Sequence, residues 1–333
     1  MRGSDDAEAV KAAWRKNLGR VSDAKVVIIG SPCDVGAGFE RGSFKGPLGI
    51  RTAFLAEDIY AMFDECGVVD LGDVRVNPQL LDDSYYRPQV LDAVRESRGV
   101  HPDTPVAPLS ALRAAIDAVA ELNPEARVIV LGGDHSLSRV PVEALVARGN
   151  SAQDLGVLHF DAHTDLLDLR DGVPYNFATW AHHANDAIGR GGRLVQVGVR
   201  VSGRSRDAWE KELDLRQMRM DEIDGRGHSE IATEVVHCFH AAGVQRLYIS
   251  NDIDATDPVY AASTGTMEPG GLHPDLISSI LHAVADEFDI VGSDVVEVAP
   301  PLKWHVPGEP ARTIRTAARY VVEQIEVMLG EAI

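Results

Sequence analysis

The stretch Leu155-Gly-Val-Leu-His-Phe-Asp-Ala-His-Thr-Asp165 joins an apolar run of strand length to a group of potential metal ligands. Asp161, His163 and Asp165 stand at alternate positions, so an extended segment turns all three side chains to the same side. Carboxylate and imidazole groups are common ligands of divalent cations in proteins. The stretch therefore predicts a strand whose carboxyl end leads into a metal site.

Two further blocks of this kind follow apolar runs elsewhere in the chain. His135 lies in the segment Gly132-Gly-Asp-His-Ser136. Asp252 and Asp254 lie in the segment Ser250-Asn-Asp-Ile-Asp-Ala-Thr-Asp-Pro258. Each block alone is typical of a turn or a helix cap, because Gly, Asp and Ser favour such positions. Three blocks at strand ends together predict a site with two imidazoles and four carboxylates, which is enough for two metal ions.

Strand and helix patterns alternate along the whole chain. Apolar, β-branched runs predict strands at residues 26–29, 68–71, 128–131, 155–160, 194–199, 247–249 and 290–298. Helical periodicity predicts helices at residues 50–63, 109–122, 140–147, 231–242, 276–288 and 313–329. This alternation indicates an α/β fold with a single-domain, mostly parallel β-sheet and helices on both faces. Ligands of such sheets gather beyond the carboxyl ends of the strands, where all three blocks fall.

The domain organisation is simple. We expect residues 1–22 to form an N-terminal extension and residues 23–333 to form one domain. The segment 82–108 is polar and contains Pro88, Pro102, Pro105 and Pro108, so it predicts a long surface excursion that acts as a lid or an oligomer contact.

Charge and composition exclude several classes of function. The formal net charge of -19 argues against nucleic acid and anionic membranes as partners, because both would be repelled. The first 20 residues lack the apolar segment of a secretory signal, and we predict a cytoplasmic protein. The three cysteines are far apart and form no CxxC pair, so neither a disulfide framework nor a thiolate zinc site is indicated.

The predicted ligand set indicates both a metal and a type of chemistry. Four carboxylates and two histidines suit Mn²⁺ in roughly octahedral coordination, with Ni²⁺ or Co²⁺ as alternatives. Two such ions about 3.5 to 4 Å apart can bridge a water and lower its pKa toward neutrality. Metal-assisted hydrolysis is the reaction class that this pattern predicts.

The chain resembles the ureohydrolase family, which includes the arginases and agmatinases, from about residue 26 to residue 329. The resemblance rests on the three blocks above and on three further segments: Gly30-Ser-Pro-Cys-Asp-Val-Gly36, Gly46-Pro-Leu-Gly-Ile-Arg51 and Val296-Glu-Val-Ala-Pro300. It implies an arginase-like three-layer fold, a small guanidine-type substrate, and a homo-oligomer that is a trimer or a hexamer. It also implies two Mn²⁺ per chain, held by His135, Asp161, His163, Asp165, Asp252 and Asp254.

The same resemblance implies roles for individual acidic residues. Asp165 would hydrogen-bond a bridging hydroxide and later pass a proton to the leaving amine. Glu297 would grip the substrate guanidinium through a charge-assisted contact. Asp134 and Asp257 would support their loops rather than bind metal.

Two departures from the family pattern concern the substrate. Phe177 stands where many members have an active-site histidine in a Tyr-x-His-Gly-Thr segment, so His182 and His183 become candidates for a proton shuttle. The loop 262–267 replaces a Pro-Gly-Thr-Gly-Thr-Pro segment, which predicts a changed loop shape. We expect Phe177 and Trp180 to form an apolar or cation-π wall for the substrate, with Thr264 of the altered loop beside it.

The leading hypothesis is a manganese-dependent amidinohydrolase that releases urea and an amine from a guanidine. Hydrolysis of another amidine, such as a formimidoyl group, is the first alternative. A catalytically silent protein that keeps the metal site as a structural clamp is the second. A single-zinc deacetylase on a related fold needs only an Asp/His/Asp site, so the additional ligands His135 and Asp254 argue against it.

Overall fold

The computed structural model describes residues 6–38, 40–149 and 153–333 of the chain. Eight strands in these ranges form one sheet: β1 (Val26–Gly30), β2 (Val68–Asp73), β3 (Arg127–Leu131), β4 (Leu155–Phe160), β5 (Leu194–Val197), β6 (Arg216–Met218), β7 (Arg246–Asp252) and β8 (Asp289–Val296). Their order across the sheet is β2-β1-β3-β8-β7-β4-β5-β6. Each pair of neighbouring strands runs parallel.

Helices cover both faces of this sheet. They are α1 (Ala7–Leu18), α2 (Gly46–Ala56), α3 (Ile59–Cys66), α4 (Pro88–Arg98), α5 (Pro108–Leu122), α6 (Arg139–Arg148), α7 (Trp180–Ala187), α8 (Arg206–Leu213), α9 (Met220–Ile223), α10 (His228–Ala241), α11 (Pro274–Ala285) and α12 (Ala311–Leu329). One layer contains α2, α3, α10, α11 and α12, and the other contains α5, α6, α7 and α8. Within the described ranges, no helix is both long enough and apolar enough to cross a bilayer.

The strand β1 shows why both faces need cover. Val26 and Ile28 pack into the core beneath α2 and α12, whereas Val27 and Ile29 pack into the core beneath α5. Successive side chains of a strand point to opposite faces, so a strand that is apolar at every position must be buried on both sides. The predicted three-layer α/β fold with a mostly parallel sheet is confirmed.

Several predicted boundaries were wrong for identifiable reasons. The predicted helix 50–63 is two helices, because Asp58 adopts a left-handed backbone with φ of 54° between α2 and α3. Positive φ values at Gly198 and Glu297 end β5 and β8 earlier than predicted. The strand β7 is longer than the predicted 247–249, so Asp252 is its last residue.

The segment 82–108 contains more structure than the sequence indicated. Pro88 lies in the first turn of α4, where its missing N–H costs no hydrogen bond. Leu91 packs with Leu80 and Val106 in a small separate core. The role of this segment as a lid or an oligomer contact stays a prediction.

The expected extension at residues 1–22 contains α1, while residues 1–5 lie outside the described part of the chain. The Asn17 side-chain amide donates to the carbonyl oxygen of Asp70 at 2.8 Å, which ties the end of α1 to the edge strand β2. The division into an extension and the domain 23–333 stays a prediction. The strand and helix patterns read from the sequence did not include the short strand β6 or the helices α1, α4, α8 and α9.

The loop after β1 crosses closely over the loop after β3. The Asp134 N–H donates to the carbonyl oxygen of Cys33 at 2.8 Å, and the Gly36 N–H donates to the Asp134 carboxylate at 2.9 Å. A Cβ atom built on Gly133 would lie 1.7 Å from the Cys33 carbonyl oxygen. Only glycine permits this crossing, which fixes the height of the His135 loop above the sheet.

We therefore expect Gly133→Ala to lower the free energy of unfolding by about 2–3 kcal/mol, because backbone must move on both sides of the contact. Gly203→Ala is the matched control, since a Cβ there would meet no atom within 4 Å, and we expect a change of less than about 0.5 kcal/mol. Chemical denaturation of both variants measures the difference. Equal stability of the two variants would contradict the proposed crossing.

Candidate metal centre

Four neighbouring strands bring the predicted ligands to one edge of the sheet. His135 begins a 3₁₀ turn after β3, Asp161 directly follows β4, Asp252 ends β7, and Glu297 directly follows β8. Because β3, β8, β7 and β4 are consecutive in the sheet, their carboxyl ends form one continuous rim. The four loops therefore converge without any long excursion of the chain.

His135 lies at the centre of a first cluster of carboxylates. Its Nδ1 atom is 3.3 Å from Asp161 Oδ2, 3.2 Å from Asp165 Oδ2 and 3.1 Å from Asp252 Oδ2. All four side chains are buried. Three carboxylate oxygens around one imidazole nitrogen make a compact donor set for a divalent cation.

His163 forms a second cluster beside the first. Its Nδ1 atom is 3.1 Å from Asp254 Oδ2 and 3.4 Å from Asp161 Oδ1. Asp161 therefore presents one carboxylate oxygen to each cluster. A carboxylate shared in this way is the arrangement that two adjacent metal ions require.

Backbone amides orient the shared and flanking carboxylates. The His163 N–H donates to Asp161 Oδ1 at 2.6 Å, the Ala162 N–H donates to Asp254 Oδ1 at 3.1 Å, and the Asp254 N–H donates to Asp252 Oδ1 at 2.8 Å. Each bond holds an Oδ1 atom, while Oδ2 of Asp161 and Asp252 faces His135 and Oδ2 of Asp254 faces His163. The ligand oxygens are therefore held in place by the main chain.

The hydrogen bonds of the neutral His135 imidazole leave its Nδ1 available to a metal ion. Its Nε2 lies 2.9 Å from Ser250 Oγ, and the Ser250 hydroxyl donates to Asp294 Oδ1 at 2.9 Å. Since the serine hydrogen is used on Asp294, the serine oxygen accepts from Nε2–H of His135. Nδ1 then carries a lone pair, and this buried atom has no hydrogen-bond partner among the described residues. The donor set fits a metal ion.

The charges of the cluster need compensation. Burial raises the pKa of Asp252 well above its usual range, and the neighbouring Asp254 and Asp161 carboxylates raise it further. Burial also raises the pKa of Asp165, with Asp161 as the next cause. Burial would lower the pKa of His163, but the carboxylates of Asp254 and Asp161 outweigh it and raise the pKa to about 12. Without bound cations, protons therefore neutralise negative charge in the cluster.

Glu297 lies beside the first cluster with a strained backbone. Its φ is 59°, and its Oε1 accepts the His135 N–H at 2.9 Å. Burial raises the pKa of its carboxyl well above the usual range, and the charge of Asp134 adds to this. A cationic group bound beside this carboxyl would favour its charged form.

Asp134 and Asp257 have the supporting contacts expected of them. Asp134 accepts the N–H groups of Ser136 and Gly36, which caps the turn that carries His135. Asp257 accepts the N–H groups of Val259 and Gly271. Both carboxylates bind backbone amides of their own loops, and Asp134 also binds the Gly36 amide of the loop after β1.

Trp180 lies in a different place from the expected substrate wall. Its ring is fully buried and stacks on His135 with 4.5 Å between centroids, and its Nε1–H donates to Asp165 Oδ2 at 3.0 Å. The indole therefore contacts two metal-ligand candidates instead of open space. Phe177 lies apart from it, against Gly38, beneath the guanidinium of Arg170.

His182 and His183 contact the loop that follows Asp165. His182 Nδ1 lies 3.2 Å from the carbonyl oxygen of Leu166, and His183 Nε2 lies 2.8 Å from that of Pro174. These contacts anchor the loop 166–174 and do not join either imidazole to the metal-ligand clusters. A shuttle role for either histidine has no support from these contacts.

The altered loop 262–267 reaches the second cluster through a residue that the sequence did not single out. Thr264 is buried, and its carbonyl oxygen accepts the Trp304 Nε1–H at 2.8 Å. Thr266 instead donates its hydroxyl to Asp254 Oδ2 at 2.9 Å. The contact of this loop with the site therefore runs through Thr266.

His159 is the other residue that sequence reasoning missed. Its Nε2 is hydrogen-bonded to Asp161 Oδ2 at 2.8 Å, and its donor atoms lie within 4.8 Å of those of His135, Asp161 and Asp165. The alternation of side chains along the strand could have identified His159, because it stands two residues before Asp161 and an extended chain turns both side chains to the same face.

Comparison with known proteins agrees with this geometry. Residues 24–326 match the profile described as Arginase family. The chain belongs to the arginase family. The resemblance to ureohydrolases is thereby confirmed, and the family places this arginase-family chain among hydrolases that act on C–N bonds.

Individual relatives of this arginase-family chain differ in their printed activities. An agmatinase of Bacillus cereus is 28% identical over 287 residues, which is 84% of each chain. A guanidinopropionase of Pseudomonas aeruginosa is 31% identical over 290 residues, which cover 83% of this chain and 80% of the relative. The solved structure of proclavaminate amidino hydrolase from Streptomyces clavuligerus has a TM-score of 0.72 at 25% identity and covers 92% of both chains.

The raised pKa values of His163 and Asp252 predict that metal binding releases protons, because only the deprotonated groups are ligands. Mn²⁺ affinity should therefore rise between about pH 6 and pH 8, and calorimetry in two buffers of different ionisation enthalpy should detect at least one proton released per chain. His163→Asn should reduce the number released. Affinity that is independent of pH, with no buffer dependence of the heat, would contradict this.

Proposed function

We propose that this chain is a manganese-dependent amidinohydrolase that cleaves a guanidino C–N bond of a small guanidine and releases urea and an amine. The observation that carries the proposal is the shared carboxylate of Asp161, which faces both His135 and His163. Glu297 beside this pair supplies a place for the guanidinium. Metal ligands alone would fit many hydrolases, and this acidic neighbour favours a cationic planar substrate.

Two Mn²⁺ ions, held by His135, Asp161, His163, Asp165, Asp252 and Asp254, would supply Lewis acidity and lower the pKa of a bridging water. The oxygen-rich, thiolate-free donor set favours Mn²⁺, with Ni²⁺ or Co²⁺ as alternatives. Family membership and the two clusters support a binuclear site.

Asp165 is proposed to take a proton from the attacking water and pass it to the leaving amine. Its Oδ2 faces His135 Nδ1 and accepts the Trp180 Nε1–H, so this side chain is held on both sides. Burial and Asp161 raise the pKa of Asp165, which favours proton uptake during turnover. Phe177 cannot carry a proton, so this role falls on Asp165.

Glu297 is proposed to bind the substrate guanidinium. Its Oε1 is held by the His135 N–H, which leaves Oε2 for the substrate. A guanidinium offers donors in a planar fork that matches a carboxylate. Binding the cation would also restore the charge of a carboxyl whose pKa burial raises.

We expect Asp165→Asn to lower kcat by about 10²–10⁴-fold, because general acid–base catalysis contributes on that scale. Glu297→Gln should lower kcat/KM at least about 100-fold, because a buried charge-assisted contact is lost. Urea release by manganese-loaded protein measures both. Asp286→Asn, an exposed carboxylate at the end of α11, is the control.

Full activity of Asp165→Asn would overturn this assignment of roles. Release of formamide instead of urea from an amidine panel would favour the formimidoyl alternative. Metal binding without turnover on any guanidine would favour the catalytically silent alternative.

The remote end of the substrate is proposed to carry a carboxylate. A cavity of about 360 Å³ lies beside Phe177, and its lining includes Gly36, Gly38, Arg170 and Asp171. The Arg170 guanidinium lies 4.7 Å from the Phe177 ring centroid and pairs only loosely with the exposed Asp171, at 3.7 Å. Gly36 also donates to Asp134, so the cavity adjoins the loop of His135. Arg170 is therefore a cation available to an anionic tail.

Two guanidines that differ in the charge of the tail test this preference. We expect Arg170→Ala to raise KM for 4-guanidinobutanoate about tenfold or more with little change in kcat, because the contact is equal in ground and transition states. KM for 4-guanidinobutylamine should stay constant or fall. Arg170→Lys should keep the preference for the acid. Equal effects on both substrates would contradict an anionic tail.

We also propose a trimer or hexamer in the cytoplasm. Family membership supports an oligomer, and the three free cysteines are compatible with a reducing compartment. Light scattering on metal-loaded protein measures the assembly.

A further inference from the structure

A row of hydrogen-bonded polar side chains runs from the edge of the sheet to the shared carboxylate. Arg219 donates through Nε and Nη2 to Gln217 Oε1, at 3.1 and 2.9 Å. Gln217 Nε2 donates to Gln196 Oε1 at 2.7 Å, and Gln196 Nε2 lies 2.9 Å from His159 Nδ1. His159 Nε2 lies 2.8 Å from Asp161 Oδ2. Gln217, Gln196 and His159 are buried.

Strand register places these side chains in one line. Gln217 of β6 pairs with Gln196 of β5, and Gln196 pairs with His159 of β4. His159 in turn pairs with Ser250 of β7, the residue that binds His135. Paired residues of neighbouring strands lie on the same face of the sheet. The register of β6, β5, β4 and β7 therefore positions the row on one face of the sheet, directly beneath the metal centre.

Arg219 sets the direction of every hydrogen bond in the row. A guanidinium only donates, so the oxygen of the Gln217 amide must face it and the nitrogen must face Gln196. Because Gln217 donates through its amide nitrogen, the oxygen of Gln196 must face Gln217, and the nitrogen of Gln196 must face His159. Nδ1 of His159 then accepts, and the proton of the neutral ring is on Nε2, facing Asp161.

A second acceptor enforces the same orientation independently. Gln196 Nε2 also lies 2.6 Å from the carbonyl oxygen of Thr164, which can only accept. Reversing the Gln196 amide would place two oxygens against each other there. The orientation of Gln196 is thus fixed from both ends.

We infer that Arg219, Gln217 and Gln196 are positioning residues that keep His159 in the Nε2–H tautomer, as a donor to Asp161 and not as a metal ligand. His159 lies close enough to His135, Asp161 and Asp165 to join their donor set. A ring nitrogen that carries a proton has no lone pair for a cation, so the row prevents His159 Nε2 from binding a metal ion. The bond instead fixes the oxygen of Asp161 that faces His135.

This inference rests on the metal centre of the proposed function but not on its reaction. Partners that orient a ligand typically contribute 10- to 100-fold to metal affinity. Because Asp161 faces both clusters, loss of its orientation should weaken both ions together. Metal binding and the state of the imidazole are therefore the readouts, and neither requires turnover.

The first experiment measures Mn²⁺ binding by calorimetry. We expect Gln196→Met to weaken binding about 10- to 100-fold while two ions still bind, and Gln217→Met to weaken it less, because Thr164 still orients Gln196. Arg219→Lys keeps a donor and should bind Mn²⁺ as the unaltered protein does. Gln324→Met is the matched control, since Gln324 is also buried but bonds to the Ser293 hydroxyl and to the main-chain carbonyl of Asp294, outside the row.

The second experiment reads the tautomer in the unaltered protein, so it does not depend on any variant that folds poorly. In protein with ¹⁵N-labelled histidine and bound Zn²⁺, which is diamagnetic, His159 should show a protonated Nε2 and an unprotonated, hydrogen-bonded Nδ1. A metal-bound Nε2, or a proton on Nδ1, would overturn the inference. So would equal Mn²⁺ affinities of the Gln196→Met and Gln324→Met variants. If metal binding and the tautomer are as expected but no urea is released, only the proposed reaction is refuted.

Discussion

Asp161 has to present one carboxylate oxygen to His135 and the other to His163, and this requirement governs the arrangement around it. The carboxylate follows β4, which lies beside β7 in the sheet, so Asp252 and Asp254 arrive from the neighbouring strand. His135 and Glu297 arrive from β3 and β8 on the far side of β7. Parallel pairing across these four strands is what makes their carboxyl ends meet.

Hydrogen bonds orient most of the polar atoms in this buried cluster. Backbone amides occupy Oδ1 of Asp161, Asp252 and Asp254. The Asp294–Ser250 pair uses Nε2 of His135, and the glutamine row uses Nδ1 of His159. In the neutral rings, His135 thus keeps a lone pair on Nδ1 for a metal ion, whereas His159 donates its Nε2–H to Asp161. A buried polar group without a hydrogen-bond partner would destabilise the fold by several kcal/mol.

The sequence predicted the fold class and the convergence of ligands for the same reason. Apolar runs followed directly by Asp or His mark strand ends, and alternation within Asp161-Ala-His163 places side chains on one face. The partners of those ligands were harder to predict, because they come from strand register. Gln196 and Gln217 meet His159 across three strands, and nothing local to either glutamine indicates the pairing. The contacts of Trp180 and His182 were also hard to predict, because α7 starts next to the metal loop and its helical turn determines which ring faces the ligands.

Two metal ions that share Asp161 would be visible in anomalous diffraction from manganese-loaded crystals, which locates each ion without reference to activity. We expect two peaks about 3.5 to 4 Å apart, one beside His135 Nδ1 and one beside His163 Nδ1, with Asp161 contacting both. A single peak, or a peak bonded to His159 Nε2, would contradict this expectation.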